Sequence, residues 1–178
     1  MAQRNQLLKV EVTSAEARTG TATNTTYGTG GESYDEDYGT YYGIKSVHSG
    51  DGACDTTFTG THTWTTPIDI PRIKTKLYAK AIAYGNYGKR DLTFDVHVLQ
   101  GSTWTNVYHS TTHKSGTGTT EETNSQTLTT GWSDVLGVKV YCSAHAYSYE
   151  GTRAQDAYSY GYDIQAFYTV ARSFSGIV

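Results

Sequence analysis

Tyr34, Tyr38, Tyr41 and Tyr42 crowd into one stretch of the chain, and Tyr147, Tyr149, Tyr158 and Tyr160 surround another. A phenol joins rigid apolar area to a polar tip, which suits a subunit interface or stacking on a sugar ring. With 16 tyrosines in all, the chain has more than a core of this size takes up. These eight are therefore candidates for a protein interface first and for glycan contact second. Asp35, Glu36 and Asp37 stand among the first group, and Asp51 and Asp55 lie in the segment GDGACD. Hard cations such as calcium take several oxygen ligands from a flexible loop, and either cluster can supply two or three. Neither has the spacing of a helix-loop-helix calcium site. Solvated loop acids are the simpler account, and a structural calcium is the one cofactor the sequence suggests. His109 and His113 share a parity, but zinc takes about four ligands and neither cysteine is close in sequence. His62 and His145 are read as surface or satisfied structural residues.

Arg72, Lys74, Lys76 and Lys80 fall on one parity with Tyr78 among them. Such a stripe fits an acidic glycan or a neighbouring acidic subunit, and equally a solvated face or a charged edge that discourages aggregation. Catalytic constellations are missing from the pattern. There is no G-x-S-x-G elbow, no phosphate-cradling glycine loop and no H-E-x-x-H. Glu121 and Glu122 sit in a polar segment with no apolar surround to raise a pKa, so a paired-carboxylate hydrolase has little support. The expectation is a protein that is not an enzyme.

The elements that must position these groups are clearest at residues 72–108. Ile73, Thr75, Leu77, Ala79, Ala81 and Ala83 alternate with Lys74, Lys76, Tyr78, Lys80 and Ile82, the period-two signature of a strand. Leu92, Phe94, Val96 and Val98 alternate with Thr93, Asp95, His97 and Leu99, giving a second strand. An antiparallel hairpin with Tyr84 opposite Asp91 sets Ala81 against Phe94 and Leu77 against Val98. It also sets Lys80 opposite Asp95 and Tyr78 opposite His97. The alternative is that the two strands lie in opposite sheets with their apolar faces meeting. Gly101-Ser102 has the form of a two-residue hairpin turn. Trp104 and Val107 differ in parity, which a bulge near Asn106 would reconcile.

The remaining chain is rich in Thr and Gly, with 19 Gly and only 2 Pro, a composition that favours strands and tight connections. Residues 7–13 read as a first strand. Residues 18–43 read as a long Gly/Thr/Tyr-rich loop or arm, and 44–66 as two short strands around a turn. Pro67 and Pro71 bracket an entry at a sheet edge. Residues 110–126 read as a polar loop, 138–146 as a strand and 162–170 as the last strand. No helix of three turns is evident; SAEAR at 14–18 is too short to stand alone. About eight strands in 178 residues predict a single all-β domain over 1–178, an antiparallel β-sandwich of the jelly-roll kind. A formal net charge of −3 speaks against broad nucleic-acid binding. No apolar run approaches the roughly 18 residues of a membrane span, and MAQRNQLLKVEV has no apolar segment of the secretory kind. Cys54 and Cys142 are read as buried thiols, with one disulfide as the alternative.

The order TWTTPIDIPRIKTKLYAKA, FDVHVLQGSTWTNV, TGWSDVLGVKVYCSAHA and YGYDIQAFYT, over residues 62–169, resembles the galactose-binding-like (discoidin, coagulation factor 5/8 C-type) jelly rolls. It also resembles the related sandwich modules of tailed-virus appendage proteins. The resemblance implies a sandwich that often binds glycans and sometimes holds a structural calcium. It carries no ligand residue onto this chain, and GDGACD at 50–55 only loosely echoes the family's early Ala-Asp-Gly cluster. An extracellular composition without an export signal points to a virion component. The expectation is a structural protein of a bacteriophage, such as a capsid decoration, tail or fibre part. It would be made in the host cytoplasm and act through assembly as a homo-oligomer or with other virion proteins, with glycan attachment in addition. The alternative is a secreted carbohydrate-binding module or an extracellular filament subunit.

Overall fold

The structure is a computed structural model that describes the backbone of residues 6–9, 12–18, 25–27, 42–49, 52–83, 88–148 and 154–169, with side chains described for 56–57, 59–83 and 88–147. Among the described residues ten strands follow one another. They are β1 (Gln6–Lys9), β2 (Val12–Arg18), β3 (Thr25–Tyr27), β4 (Tyr42–Ser49), β5 (Gly52–Ala83), β6 (Lys89–Gln100), β7 (Thr103–Ser115), β8 (Gly118–Leu128), β9 (Trp132–Ser148) and β10 (Ala154–Thr169). Every pairing is antiparallel. The fold is the expected all-β antiparallel sandwich, with more strands than the sequence suggested.

One strand serves both layers. β5 runs for 32 residues; its first half pairs with β2 and β9, and its second half with β10 and β8. The first sheet therefore has the order β3-β4-β10-β5-β8, with β1 also on β10. The second has the order β2-β5-β9-β6-β7. Pro67 and Pro71 lie where β5 passes from one sheet to the other, Pro67 within the register shift at Thr63/Ile68 on β9 and Pro71 within the shift between Asp69 and Arg72 on β10. A proline cannot donate to a ladder, so the change of sheet is where two of them are tolerated. They mark a crossover rather than the edge entry expected from sequence.

The core lies between the layers. Ile73, Leu77, Ala79, Ala81 and Ala83 of β5 meet Leu92, Phe94, Val96 and Val98 of β6, together with Val138, Val140, Cys142, Ala144 and Ala146 of β9. Cys142 Sγ lies 3.4 Å from the Tyr78 carbonyl oxygen, to which it donates across the gap between sheets. The inward parities match the sequence analysis; the hairpin register does not. β6 pairs with β7 and β9, and β5 does not pair with it. Alternation tells which face is apolar, and the two apolar faces meet through space rather than side by side. Lys80 and Asp95 thus end on opposite outer surfaces, as do Tyr78 and His97.

Two local details hold. Gly101 has φ of 60°, and Gln100 pairs with Thr103, as a two-residue turn with a left-handed first position requires. The β6–β7 register shifts between Val96↔Tyr108 and His97↔Asn106, leaving Val107 as the extra residue of a bulge; the bulge does not bring Trp104 and Val107 to one face, since Val107 packs against the core and Trp104 lies on the outer face. Asn106 Oδ1 accepts from the Tyr108 amide at 3.0 Å across it.

Residues 110–126 are not a loop but parts of β7 and β8. Their Thr-rich sequence favours extended backbone and lacks an apolar face because the two strands close one edge of the sandwich with polar pairs. Thr112 Oγ1 donates to Glu122 Oε2 at 2.7 Å, and Asn124 Nδ2 donates to Tyr108 Oη at 2.9 Å. SAEAR is strand within β2, and residues 154–159 are strand within β10. Of the long segment 18–43, Arg18, Thr25–Tyr27 and residues 42–43 are strand and the rest lies outside the described residues.

Cys54 pairs with Ala146 in register, four residues along β9 from Cys142. At about 3.3 Å per residue that is a separation of about 13 Å, twice the reach of a disulfide. Cys142 is buried and forms no disulfide. Unfolded without reductant, the protein should release two titratable thiols per chain; none would mean a bridge. Phe94→Ala should lower the unfolding free energy by about 3–5 kcal/mol in urea titrations, since it removes the largest fully buried side chain among the described residues.

Candidate functional site

The outer surface of the second sheet gathers the chemistry. Along β9 the inward residues are Val138, Val140, Cys142, Ala144 and Ala146, so Lys139, Tyr141, Ser143, His145 and Tyr147 belong to the outer face. β6 turns Lys89, Asp91, Thr93, Asp95, His97 and Leu99 the same way, by its burial pattern. Registers across β5, β9, β6 and β7 then set these groups in rows. One row is Thr61, Lys139, His97 and Asn106. The next is Thr59, Tyr141, Asp95 and His109. Further along, Asp55 stands in register with His145, which stands beside Asp91 and so beside His113. Ala53, Tyr147, Lys89 and Ser115 form the last row.

The polar groups hold one another in place. Asp95 Oδ1 accepts from Asn106 Nδ2 at 2.9 Å and meets His109 Nδ1 at 2.6 Å. Asp91 Oδ1 meets His113 Nδ1 in the same way. Each imidazole is thereby oriented by a carboxylate, and each carboxylate keeps oxygen lone pairs for a ligand. His109 and His113 go to separate aspartates rather than to one metal. Among the described residues no group of three or more His, Cys, Asp or Glu side chains could hold a metal ion.

Trp104 closes one end of this face. It is in register with Leu99, which pairs with Gly137 on the next strand, so the indole starts two strands from Gly137. A Cβ built on Gly137 would nevertheless lie 3.1 Å from Trp104 Cη2 and 2.9 Å from the His62 carbonyl oxygen. The indole therefore runs crosswise over Leu99 and ends above a bare stretch of β9 that only glycine leaves open. Lys139 Nζ stands over the ring, 4.7 Å from its centroid. From the Gly137 row to the Tyr147 row is ten residues of β9, or about 33 Å. Sequence analysis missed Trp104, Gly137, Lys139 and Tyr141. The signal was available in a glycine interrupting the strand of residues 132–148, but which residue crosses it depends on strand order.

Sequence-predicted residues divide between the two sheets. Tyr147 is half-buried on the face just described. Tyr158 and Tyr160 lie on β10 in the first sheet, in register with Lys80 and Tyr78, and Tyr158 also with Lys45. Tyr42 begins β4 in register with Gly161. Tyr147 is thus on β9 of the second sheet and Tyr158 and Tyr160 on β10 of the first, on either side of residues 149–153. Tyr34, Tyr38, Tyr41, Tyr149, Asp35, Glu36, Asp37 and Asp51 lie outside the described residues, and Asp55 is on β5 in register with His145. The stripe Arg72, Lys74, Lys76, Lys80 does share one outer face with Tyr78. Glu121 accepts a hydrogen bond from Tyr78 and pairs with Lys80 at 3.2 Å; together these hold its carboxyl below the usual carboxylate range.

Among solved structures, the chain is similar to TmCBM61 in complex with beta-1,4-galactotriose, at 10% identity over 89% of this chain and 90% of that one, with a TM-score of 0.35. It is similar to a structure described for the promiscuous specificity of carbohydrate-binding modules of the β-sandwich superfamily, at 14% identity and a TM-score of 0.41, over 86% of this chain and 56% of that one. It is also similar to an F5/8 type C domain from Bacteroides fragilis, at 8% identity and a TM-score of 0.30, over 84% and 93%. No protein-family model and no curated protein matches the chain.

Burial lowers the pKa of His97, and the neighbouring Lys139 lowers it further, against a smaller raising by Asp95. Its Nδ1 is buried without a hydrogen-bond partner. Unfolded, this histidine titrates near 6.5, so below that pH the unfolded chain binds more protons and acid erodes stability. The contribution is present above about pH 6.5 and is lost as pH falls towards the folded value. Thermal midpoints between pH 8 and pH 5 should therefore fall less for His97→Gln than for wild type. An equal or steeper fall for the variant would contradict the assignment.

Proposed function

We infer that the protein is a non-enzymatic glycan-binding module whose ligand lies along the outer face of the second sheet. The observation that carries this is the face itself. It combines aromatic rings at Trp104, Tyr141 and Tyr147 with carboxylates already oriented by His109, His113 and Asn106. A sugar presents an apolar C–H face and a rim of hydroxyls. Rings stack on the first, and fixed acceptors and donors bind the second without losing conformational freedom.

A second reading keeps the virion, or another extracellular assembly, as the setting. Tyr160 and Tyr78, with Tyr158 and Lys80, stand in neighbouring register on the first sheet, a placement that suits a contact between subunits of a capsid decoration, tail or fibre. The two readings separate in solution. A glycan array followed by calorimetry should find a bound glycan, with the protein monomeric in light scattering. Tyr141→Ala should weaken binding about tenfold, the loss of roughly one stacked ring, with an unchanged thermal midpoint. A folded protein that binds no glycan on the array and forms a ring or filament would overturn the first reading in favour of the second.

A further inference from the structure

We propose that Trp104 and Lys139 form a subsite for a sugar bearing a negative charge, a carboxylate or a sulfate. The proposal rests on the glycan-binding reading and goes beyond it in naming the charge of the ligand.

The indole lies across the sheet with its end over Gly137, and the layer above the ring is already held by the Lys139 ammonium, 4.7 Å from the centroid. A neutral sugar stacking there must push the ammonium aside and offers it only hydroxyl oxygens. An anionic sugar stacks on the same ring while its charged group accepts from the displaced ammonium, so the cation–π contact is exchanged for a charge-assisted hydrogen bond. Among the described residues no carboxylate stands in the two rows that hold Trp104 and Lys139. The row of Trp104 holds Thr63, Gly137 and Leu99, and the adjoining row holds Thr61, His97 and Asn106. The nearest acid on β6, Asp95, is engaged by Asn106 and His109. Lys139 is therefore the charge a ligand meets at this end of the face.

The test is calorimetry of the full chain at low salt with three polymers: polygalacturonate, a sulfated galactan and a neutral galactan. At least one anionic polymer should bind about tenfold or more tightly than the neutral one, the size of one charge-assisted hydrogen bond. Which anionic polymer binds more tightly identifies the charged group. Lys139→Met, checked for an unchanged thermal midpoint, should weaken the anionic polymer about tenfold, leave the neutral one undiminished and abolish the preference, and Lys139→Arg should restore it. Equal affinity for charged and neutral polymers would overturn the proposal while leaving the binding function standing. So would loss of the preference in Lys74→Met but not in Lys139→Met, which assigns it to the stripe on the first sheet. No binding of any polymer would overturn both.

Discussion

The strand β5 cannot satisfy one sheet alone, and the architecture follows from that. Its 32 residues extend beyond the span of any single partner, so its two halves take different neighbours. The crossover between them falls at Ile68, Ile70 and the two prolines, where ladder hydrogen bonds are already interrupted. Once the strand has crossed, the alanines of its second half lie over Phe94 and Leu92 of β6 rather than beside them. Small residues on one layer accept large ones from the other, and the core reaches zero exposure at Ala79, Ala81, Leu92 and Phe94. Each such large side chain is worth roughly 1.5–3 kcal/mol when removed from water.

The same crossover decides what the outer surfaces carry. With β5 and β6 in different layers, the polar parity of β5 builds one surface with β10 and β8, and the polar parity of β6 builds another with β9 and β7. Lys80 finds Glu121, and Asp95 finds His109 and Asn106. The basic stripe and the histidine–aspartate pairs are therefore on opposite sides of the molecule and act independently. β7 and β8, joined by a tight turn but placed in different sheets, close the edge between these surfaces. Between Val107–Tyr108 and Leu128, which pack on the core, the two strands make hydrogen bonds such as Asn124 to Tyr108, and that stretch carries no apolar alternation.

The groups on this face are held in place by one another. Asp95 is held by two donors and Asp91 by one, and the Trp104 ring is fixed by the bare backbone of Gly137 below it and by Lys139 above. Groups already fixed in the free protein lose little further freedom when a ligand arrives. The bulge at Val107 contributes by letting Trp104 and His109 share the outer face of a strand on which Val107 and Tyr108 pack against the core.

The amino-acid sequence by itself determined the strand character of residues 73–83 and 92–99, the inward residues of both, the Gly101-Ser102 turn and the bulge beside Asn106. Each of these is a relation between residues a few positions apart, set by the two-residue period of extended backbone or by the φ a turn demands. Tertiary structure decided which strands are neighbours, and with that every long-range pair: Lys80 with Glu121, Trp104 over Gly137, His113 with Asp91. A period of two distinguishes inward from outward but is identical for a strand beside another and a strand above it, so the hairpin and the two-layer arrangement were equally compatible with β5 and β6. The Thr-rich strands β7 and β8 were hidden for a related reason, because an edge that faces polar partners leaves no apolar periodicity to read.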